Sequence, residues 1–390
     1  MSAKKSIGES KKLTVSLACF LGLLLWGVPA VFLYPTELGL IYLFLLVSYI
    51  VCNLNLSYRN TGYSHHNLAS NKRHRYVVSV AIFFAISYLL VDSLVGRQNF
   101  DGNFFLSGES VIRLVDIQNN EKGRGRGFWE LLAAILLFMP FLLIDLSANS
   151  RASVKLFAWT AAVLLVFYEI EASRGFLIVA ATSLFLAKSE ITLKSLVLVL
   201  TVGVALFVFA SAQRGDFSDT SFSNPVFSGV AWPFINLGMY LNADCGEAST
   251  LEFISQIFSK LLPSFLIDKN VISFNIDASE CMYGLSLEEL GAVSVFTFLG
   301  ELTHYTPNLL TAIVAGVFLG VSTRLIDSFL LERKFYVTQL FVGLWIILLL
   351  RSRILDVFSS LLALALFFML ITIFRSGYLK YFLPLKVVNK

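Results

Sequence analysis

The stretch Leu13–Asn53, LTVSLACFLGLLLWGVPAVFLYPTELGLIYLFLLVSYIVCN, decides the fold. Two apolar runs follow one another with almost nothing between them but Pro35, Thr36 and Glu37. A membrane-crossing helix needs about 20 apolar residues, and each run has that length. The first run is too long for the apolar region of a secretory signal peptide, so a retained first span is expected. The rest of the chain has the same character. Of 390 residues, 57% are hydrophobic and 14% are charged, with a mean hydropathy of +0.76. Soluble domains carry roughly 25% charged residues, so the chain reads as an integral membrane protein. The 36 phenylalanines suit helix interfaces and lipid-facing surfaces. No basic, aromatic-interleaved soluble segment points to nucleic acid.

The predicted fold class is an all-α polytopic membrane protein of about ten transmembrane helices, between ten and twelve, forming a single integral membrane domain over 1–390. The spans are placed near 13–34, 37–57, 76–96, 128–147, 153–171, 174–188, 194–212, 306–325, 336–351 and 355–374. Lys and Arg in short loops set the orientation. Lys4, Lys5, Lys11 and Lys12, then Arg59, Lys72, Arg73 and Arg75, then Arg151, Lys155, Lys188, Lys194, Arg324, Arg333 and Lys334 fall on one side. That side is read as cytoplasmic, with both termini on it. The opposite, outer side holds two long segments, 97–127 and 213–305. From Gln213 to Leu290 the second has three basic residues against ten acidic ones. Within it Val226–Leu241 and Leu251–Ile267 are amphipathic and Leu290–Leu302 is apolar, so these are expected at the outer interface or partly inside the membrane. Cys245 and Cys281 share this loop, where an oxidising compartment permits a disulfide.

Charges collect at the outer ends of spans. Between two oily runs the sequence FYEIEASRGFLIVA, Phe167–Ala180, places Glu169, Glu171 and Arg174. The run after Arg174 covers only about 20 Å as helix, against a hydrocarbon core of about 30 Å. Arg174 is therefore drawn to the membrane edge, where a charge needs a partner or a wet cavity. Arg214 ends the seventh span, and Arg351 and Arg353 end the ninth. Several arginines on one outer face run against the usual placement of positive charge inside. Arginine binds phosphate oxygens bidentately and stays charged, so the cluster predicts a lipid-linked phosphate or pyrophosphate. Snorkelling to headgroups is the plainer reading of each arginine taken singly.

Just before the eighth span lies VSVFTFLGELTHYTPNLL, Val293–Leu310. Glu301 and His304 sit three apart and share a helical face, with Tyr305 adjacent. Either Glu301 or His304 has the chemistry of a general base on a sugar hydroxyl. The plainer alternative is that they cap the next span. The basic residues of the 97–127 loop suit an anionic glycan or a solvated loop equally. The chain has no P-loop, no Cys/His spacing for a metal and no Asp-x-Asp. No metal or cofactor is therefore expected, and the donor is expected to be activated by a lipid pyrophosphate.

With these residues in place, the chain resembles the Wzy-type O-antigen, or oligosaccharide repeat-unit, polymerases. The resemblance rests on topology and on three segments: EASRGFLI at 171–178, SAQRGD at 211–216 and GLSLEELGAVSVFTFLGELTHYTPN at 284–308. The Arg-x10-Gly motif of some members is absent, since Phe185 and Pro225 occupy the glycine positions after Arg174 and Arg214. The resemblance implies a GT-C-like, metal-independent glycosyltransferase of the bacterial inner membrane, working at its periplasmic face. It would join undecaprenyl-pyrophosphate-linked repeat units into a surface glycan, alongside a flippase and a chain-length regulator. Arg174, Arg214, Arg351, Arg353 and Tyr305 would bind substrate and pyrophosphate, and Glu301, His304 and Arg174 would act in catalysis. Two other readings stay open. An O-antigen ligase would transfer finished glycan to lipid A–core. A flippase for lipid-linked sugars would carry its ionisable residues nearer mid-membrane.

Overall fold

A computed structural model of the chain describes residues 14–55, 138–148, 152–169, 179–180, 182–184, 223–243, 245–259, 274–285, 296–332, 335–351 and 353–376. These residues are mostly helical. Helix α1 is Val15–Leu33 and α2 is Pro35–Asn55. The span read over 128–147 is helical from Phe138 to Ser147 (α3), and α4 is Ala152–Glu169. Then come α5 (Ser223–Asn242), β1 (Ala248–Ser249), α6 (Thr250–Ser259), α7 (Phe274–Tyr283), α8 (Phe298–His304), β2 (Tyr305–Thr306), α9 (Asn308–Glu332), α10 (Tyr336–Leu349) and α11 (Ile354–Ser376). The predicted spans 76–96 and 194–212, the loop 97–127 and most of 174–188 lie outside the described residues.

Three described helices, α1, α2 as far as Leu54, and α9, are long and apolar enough to cross a membrane. Shorter apolar helices occupy Phe138–Ser147, Tyr336–Leu349 and Ile354–Leu366. Helix α9 runs to Glu332, past the predicted end at 325. Of the segments read as amphipathic in the long outer loop, Val226–Leu241 lies within α5 and the first part of Leu251–Ile267 lies within α6, while 260–267 lie outside the described residues.

The first two helices turn on a single residue. Tyr34 closes α1 by donating its backbone N–H to the Ala30 carbonyl at 2.9 Å. Pro35 then opens α2, where its missing N–H costs nothing. The Tyr42 hydroxyl donates to the Leu23 carbonyl at 3.1 Å, and the Tyr49 hydroxyl to the Ser16 carbonyl at 2.7 Å. The hairpin packs on α9 through Gly316 and Gly320, a Gly-x-x-x-Gly pair of the kind that lets helix backbones approach in lipid. A Cβ on Gly320 would lie 2.8 Å from the Tyr49 carbonyl oxygen, and one on Gly316 would overlap Ser48 and the Leu45 carbonyl. The outer flank of the hairpin stays apolar: Leu21, Leu25, Val28 and Phe32 of α1 and Leu40, Leu43, Val47 and Val51 of α2 are exposed. That surface fits a lipid environment.

Three carboxylates hold the bundle's ends. A helix leaves its first four N–H groups without partners, and in a membrane no water satisfies them. Asp327 of α9 accepts the Val15 and Ser16 amides of α1 at 2.6 and 2.8 Å, and the Gln339 side-chain amide at 3.2 Å. Asp145 of α3 accepts the Val337 and Thr338 amides of α10 at 3.1 and 2.8 Å, and the Thr338 hydroxyl at 2.8 Å. At the opposite end Glu301 of α8 accepts the Ile354 and Leu355 amides of α11 at 2.6 and 3.2 Å. Each anion also sits at the positive end of a helix dipole. These contacts put the start of α1, the end of α9 and the start of α10 at one end. The 298–308 segment and the α10–α11 corner lie at the other.

Candidate functional site

The site is built where the chain stops being a simple span. Helix α8 is seven residues long, and Phe298 to Leu302 are all buried. Its first amide, of Phe298, reaches the Leu350 carbonyl at 3.4 Å. This anchors α8 against the corner that carries Arg351 and Arg353.

Glu301 is completely buried and faces that corner. Besides the two α11 amides, its Oε1 accepts from Arg353 Nε at 3.4 Å. Arg353 Nη1 also lies 3.7 Å from Asp356, three residues on. Burial drives the Glu301 carboxyl above its usual range, against the opposing pull of Arg353. The arginine side chain is 15% exposed, and among the described residues only its Nε makes a hydrogen bond. The amino groups of its planar fork keep donors for a ligand.

One helical turn along, His304 leaves the buried layer and is half-buried. The hydroxyl of Tyr240, on α5, meets its Nδ1 at 3.0 Å. Aromatic rings surround the imidazole: Phe274 of α7 lies 5.3 Å away and Tyr305 5.0 Å, centroid to centroid. Burial lowers the His304 pKa, opposed by Glu252 and Glu247. The same cause pushes Tyr240 up to about 12. Burial thus favours the neutral form of both groups.

Tyr305 points inward and is fully buried. Its hydroxyl makes no geometrically sound hydrogen bond among the described residues, although Gln256 of α6 acts on it. A buried hydroxyl normally finds a partner. Behind these residues lies a second small core of Tyr240, Phe274, Ala278 and Phe296. The Cys245–Cys281 disulfide, left open by the sequence, is formed there, with a Cα–Cα distance of 5.8 Å. It ties the segment after α5 to α7. Asp277 of α7 is raised to about 6 by burial and by Glu280.

Of the residues singled out in the sequence, Glu301, His304, Tyr305, Arg351 and Arg353 gather at one end of the bundle. Arg174 and Arg214 lie outside the described residues. Arg351 is half-buried at the corner, two residues before Arg353. Glu301 reaches its partner Arg353 across 52 residues. Sequence reading missed Tyr240, Gln256 and Asp356. No local pattern marks Tyr240, since its partner is 64 residues away. Asp356, at the first turn of the last span and three residues from Arg353, carried a readable signal. Among the described residues no cluster of His, Cys, Asp and Glu is arranged to hold a metal ion. Compared with known proteins, the chain matches no family model, no curated protein and no solved structure.

Proposed function

We propose that the chain is a membrane glycosyltransferase that polymerises undecaprenyl-pyrophosphate-linked oligosaccharide repeat units at the outer face of the bacterial inner membrane. The observation that carries this reading is the corner where a buried Glu301 holds Arg353, with the half-buried His304 three residues on in the same short helix. Both termini are taken as cytoplasmic, from the Lys and Arg pattern. On this reading the acceptor sugar's hydroxyl oxygen attacks the anomeric carbon of the donor glycan. The bond from that carbon to the pyrophosphate oxygen breaks, its electron pair stays with undecaprenyl pyrophosphate, and the hydroxyl proton is lost to a base or to water. Arg353, Arg351, Arg174 and Arg214 stabilise the departing pyrophosphate, where fixed cations act on developing charge.

On this reading the two candidate bases take different parts. Glu301 accepts from two amides and a guanidinium and is closed off, so its role here is to aim Arg353. His304 is the member of the pair that substrate reaches. The test is elongation by purified protein in detergent, supplied with a defined lipid-linked repeat unit. A ladder of longer glycans is expected, and Arg174→Ala and Arg353→Ala should leave single repeats. Wild-type chain lengths from both variants would remove the pyrophosphate assignment. The absence of any ladder with native protein would remove polymerisation itself.

A further inference from the structure

We infer that Tyr240 is a positioning residue that fixes His304 as its Nε2–H tautomer, so that the imidazole meets substrate as a neutral hydrogen-bond donor. The ligand class, a phosphoryl oxygen of the departing pyrophosphate, rests on the proposed function; the tautomer does not.

The inference starts from counting protons. Tyr240 is 7% exposed, and its hydroxyl has a single hydrogen. Among the described residues the only hydrogen bond of that hydroxyl is the 3.0 Å contact to His304 Nδ1. A buried hydroxyl hydrogen without an acceptor is costly. If Nδ1 carried the imidazole proton and donated to the tyrosine oxygen, the phenol hydrogen would have no acceptor among the described residues. The phenol therefore donates and Nδ1 accepts. A neutral imidazole has one N–H, which then sits on Nε2. That nitrogen makes no hydrogen bond to a described residue, and His304 as a whole is half-buried.

The surroundings hold this arrangement. The Tyr240 ring packs edge-on against Phe274 at 5.3 Å and Phe296 at 5.9 Å, and the Cys245–Cys281 bridge closes the same small core. The charged and titratable groups acting on the pair are Glu247, Glu252 of α6 and Asp277 of α7, with Glu280 acting through Asp277. Tyr305 contributes its ring. Protonating His304 would force Nδ1 to become a donor and break the bond from Tyr240. The neutral form is thus favoured by the bond as well as by burial.

The chemistry differs from that of a general base. A base needs a bare Nε2, and this one carries a proton. The acceptor's hydroxyl proton then leaves to water, and His304 contributes an N–H toward the phosphoryl oxygen whose charge grows as the glycosidic bond breaks.

The test is ¹⁵N NMR of the full chain labelled at histidine, with the His304 signals assigned by their loss in His304→Asn. A pyrrole-type Nε2 and a pyridine-type Nδ1 are expected in the native protein. In Tyr240→Phe, which keeps the ring, the share of the Nε2–H tautomer should fall toward that of a free imidazole and the titration midpoint of His304 should rise. Intact Cys245–Cys281 in that variant checks its fold; if it fails to fold, the native spectrum alone decides. A pyridine-type Nε2 in native protein, or an unchanged tautomer in Tyr240→Phe, overturns the inference. Kinetics give a second arm. His304→Ala should lower kcat by about 10²- to 10³-fold, and His304→Gln, which retains an N–H, should recover most of that loss. Gln as inactive as Ala would overturn the donor role. The expected tautomer in a protein that elongates no glycan would instead sink the polymerase reading and leave the tautomer standing.

Discussion

Replacing Glu301 tests whether one carboxylate holds the site's corner together. In Glu301→Ala the Ile354 and Leu355 amides, at 2.6 and 3.2 Å, lose their acceptor, and Arg353 loses a completely buried partner. Breaking a buried ion pair from one side costs about 3–5 kcal/mol. Arg353 keeps Asp356 at 3.7 Å and is 15% exposed, so the lower end of that range applies, about 3 kcal/mol in all. In Glu301→Gln a carbonyl oxygen still accepts from the Ile354 amide but the charge is gone, and about 1–2 kcal/mol is expected. The natural reporter is Cys19, which is fully buried in α1. With Cys245 and Cys281 bridged and Cys52 replaced by Ser, it is the only free thiol. Its labelling by a thiol-reactive fluorophore during a heat ramp in detergent then marks unfolding. The expected order of midpoints is native, then Gln, then Ala. A Glu301→Ala protein that melts with the native one would refute the capping role. Gln and Ala melting together would refute the claim that the residue acts as an acceptor of amide hydrogen bonds.

The same thermal assay reads the other end of the bundle. Asp327→Ala leaves the Val15 and Ser16 amides and the Gln339 side chain without their acceptor, and should cost about 3 kcal/mol, with Asn recovering part of it. Gly320→Leu must push α2 off α9 and should cost about 1–3 kcal/mol or more. The control Gly39→Leu, where a Cβ would meet nothing within 4 Å, should stay within about 0.5 kcal/mol of native. Asp277 supplies a pH prediction. Its folded pKa of about 6 lies above the ordinary aspartate value of 3.8, so the folded state binds its proton more tightly than the unfolded state. Its contribution to stability is present below the unfolded value and is lost as pH rises to about 6. Asp277→Asn should flatten that fall and leave the protein more stable than native at pH 7; an unchanged pH profile would count against the burial of this carboxyl. Finally, denatured, unreduced protein should show two free thiols, Cys19 and Cys52, and four would contradict the bridge.

Much of the fold is legible in the sequence because apolar runs of the required length are a local property. The first two spans end within two residues of their predicted limits, and α10 starts at its predicted residue 336. The Gly316–Gly320 pair is also written locally, but nothing local says that α2 is what it receives. What fixes the arrangement is non-local. The Asp327 caps join residues 311 and 312 positions apart, and Asp145 reaches 192 and 193 positions along the chain. A carboxylate near the end of an apolar run looks the same in sequence whether it faces headgroups or another helix's amides. The candidate site divides along the same line. Glu301, His304 and Arg353 are legible as charges at span ends, whereas the partners that give each a task come from the folded chain.

The caps also bear on how such a corner works. An arginine that must act on a phosphate needs to be held, because a loose side chain loses conformational entropy on binding. Glu301 answers this with both oxygens. Oε2 takes the amides of α11 and Oε1 takes Arg353 Nε. The carboxylate is thereby tied to the backbone that begins one residue after the arginine, and side chain and helix start move as one unit. The cost is that Glu301 offsets the charge it aims. With Asp356 also nearby, the group of three carries a formal net negative charge, so Arg353 by itself makes a weak anion site. On the proposed function, pyrophosphate binding needs further cations, and the sequence offers Arg351 at this corner together with Arg174 and Arg214, which lie outside the described residues. The consequence is cooperative. Removing any one arginine should reduce elongation far more than a quarter, because the remainder no longer outweigh the carboxylates. A graded, additive loss across single and double arginine variants would show instead that they act as separate surface charges.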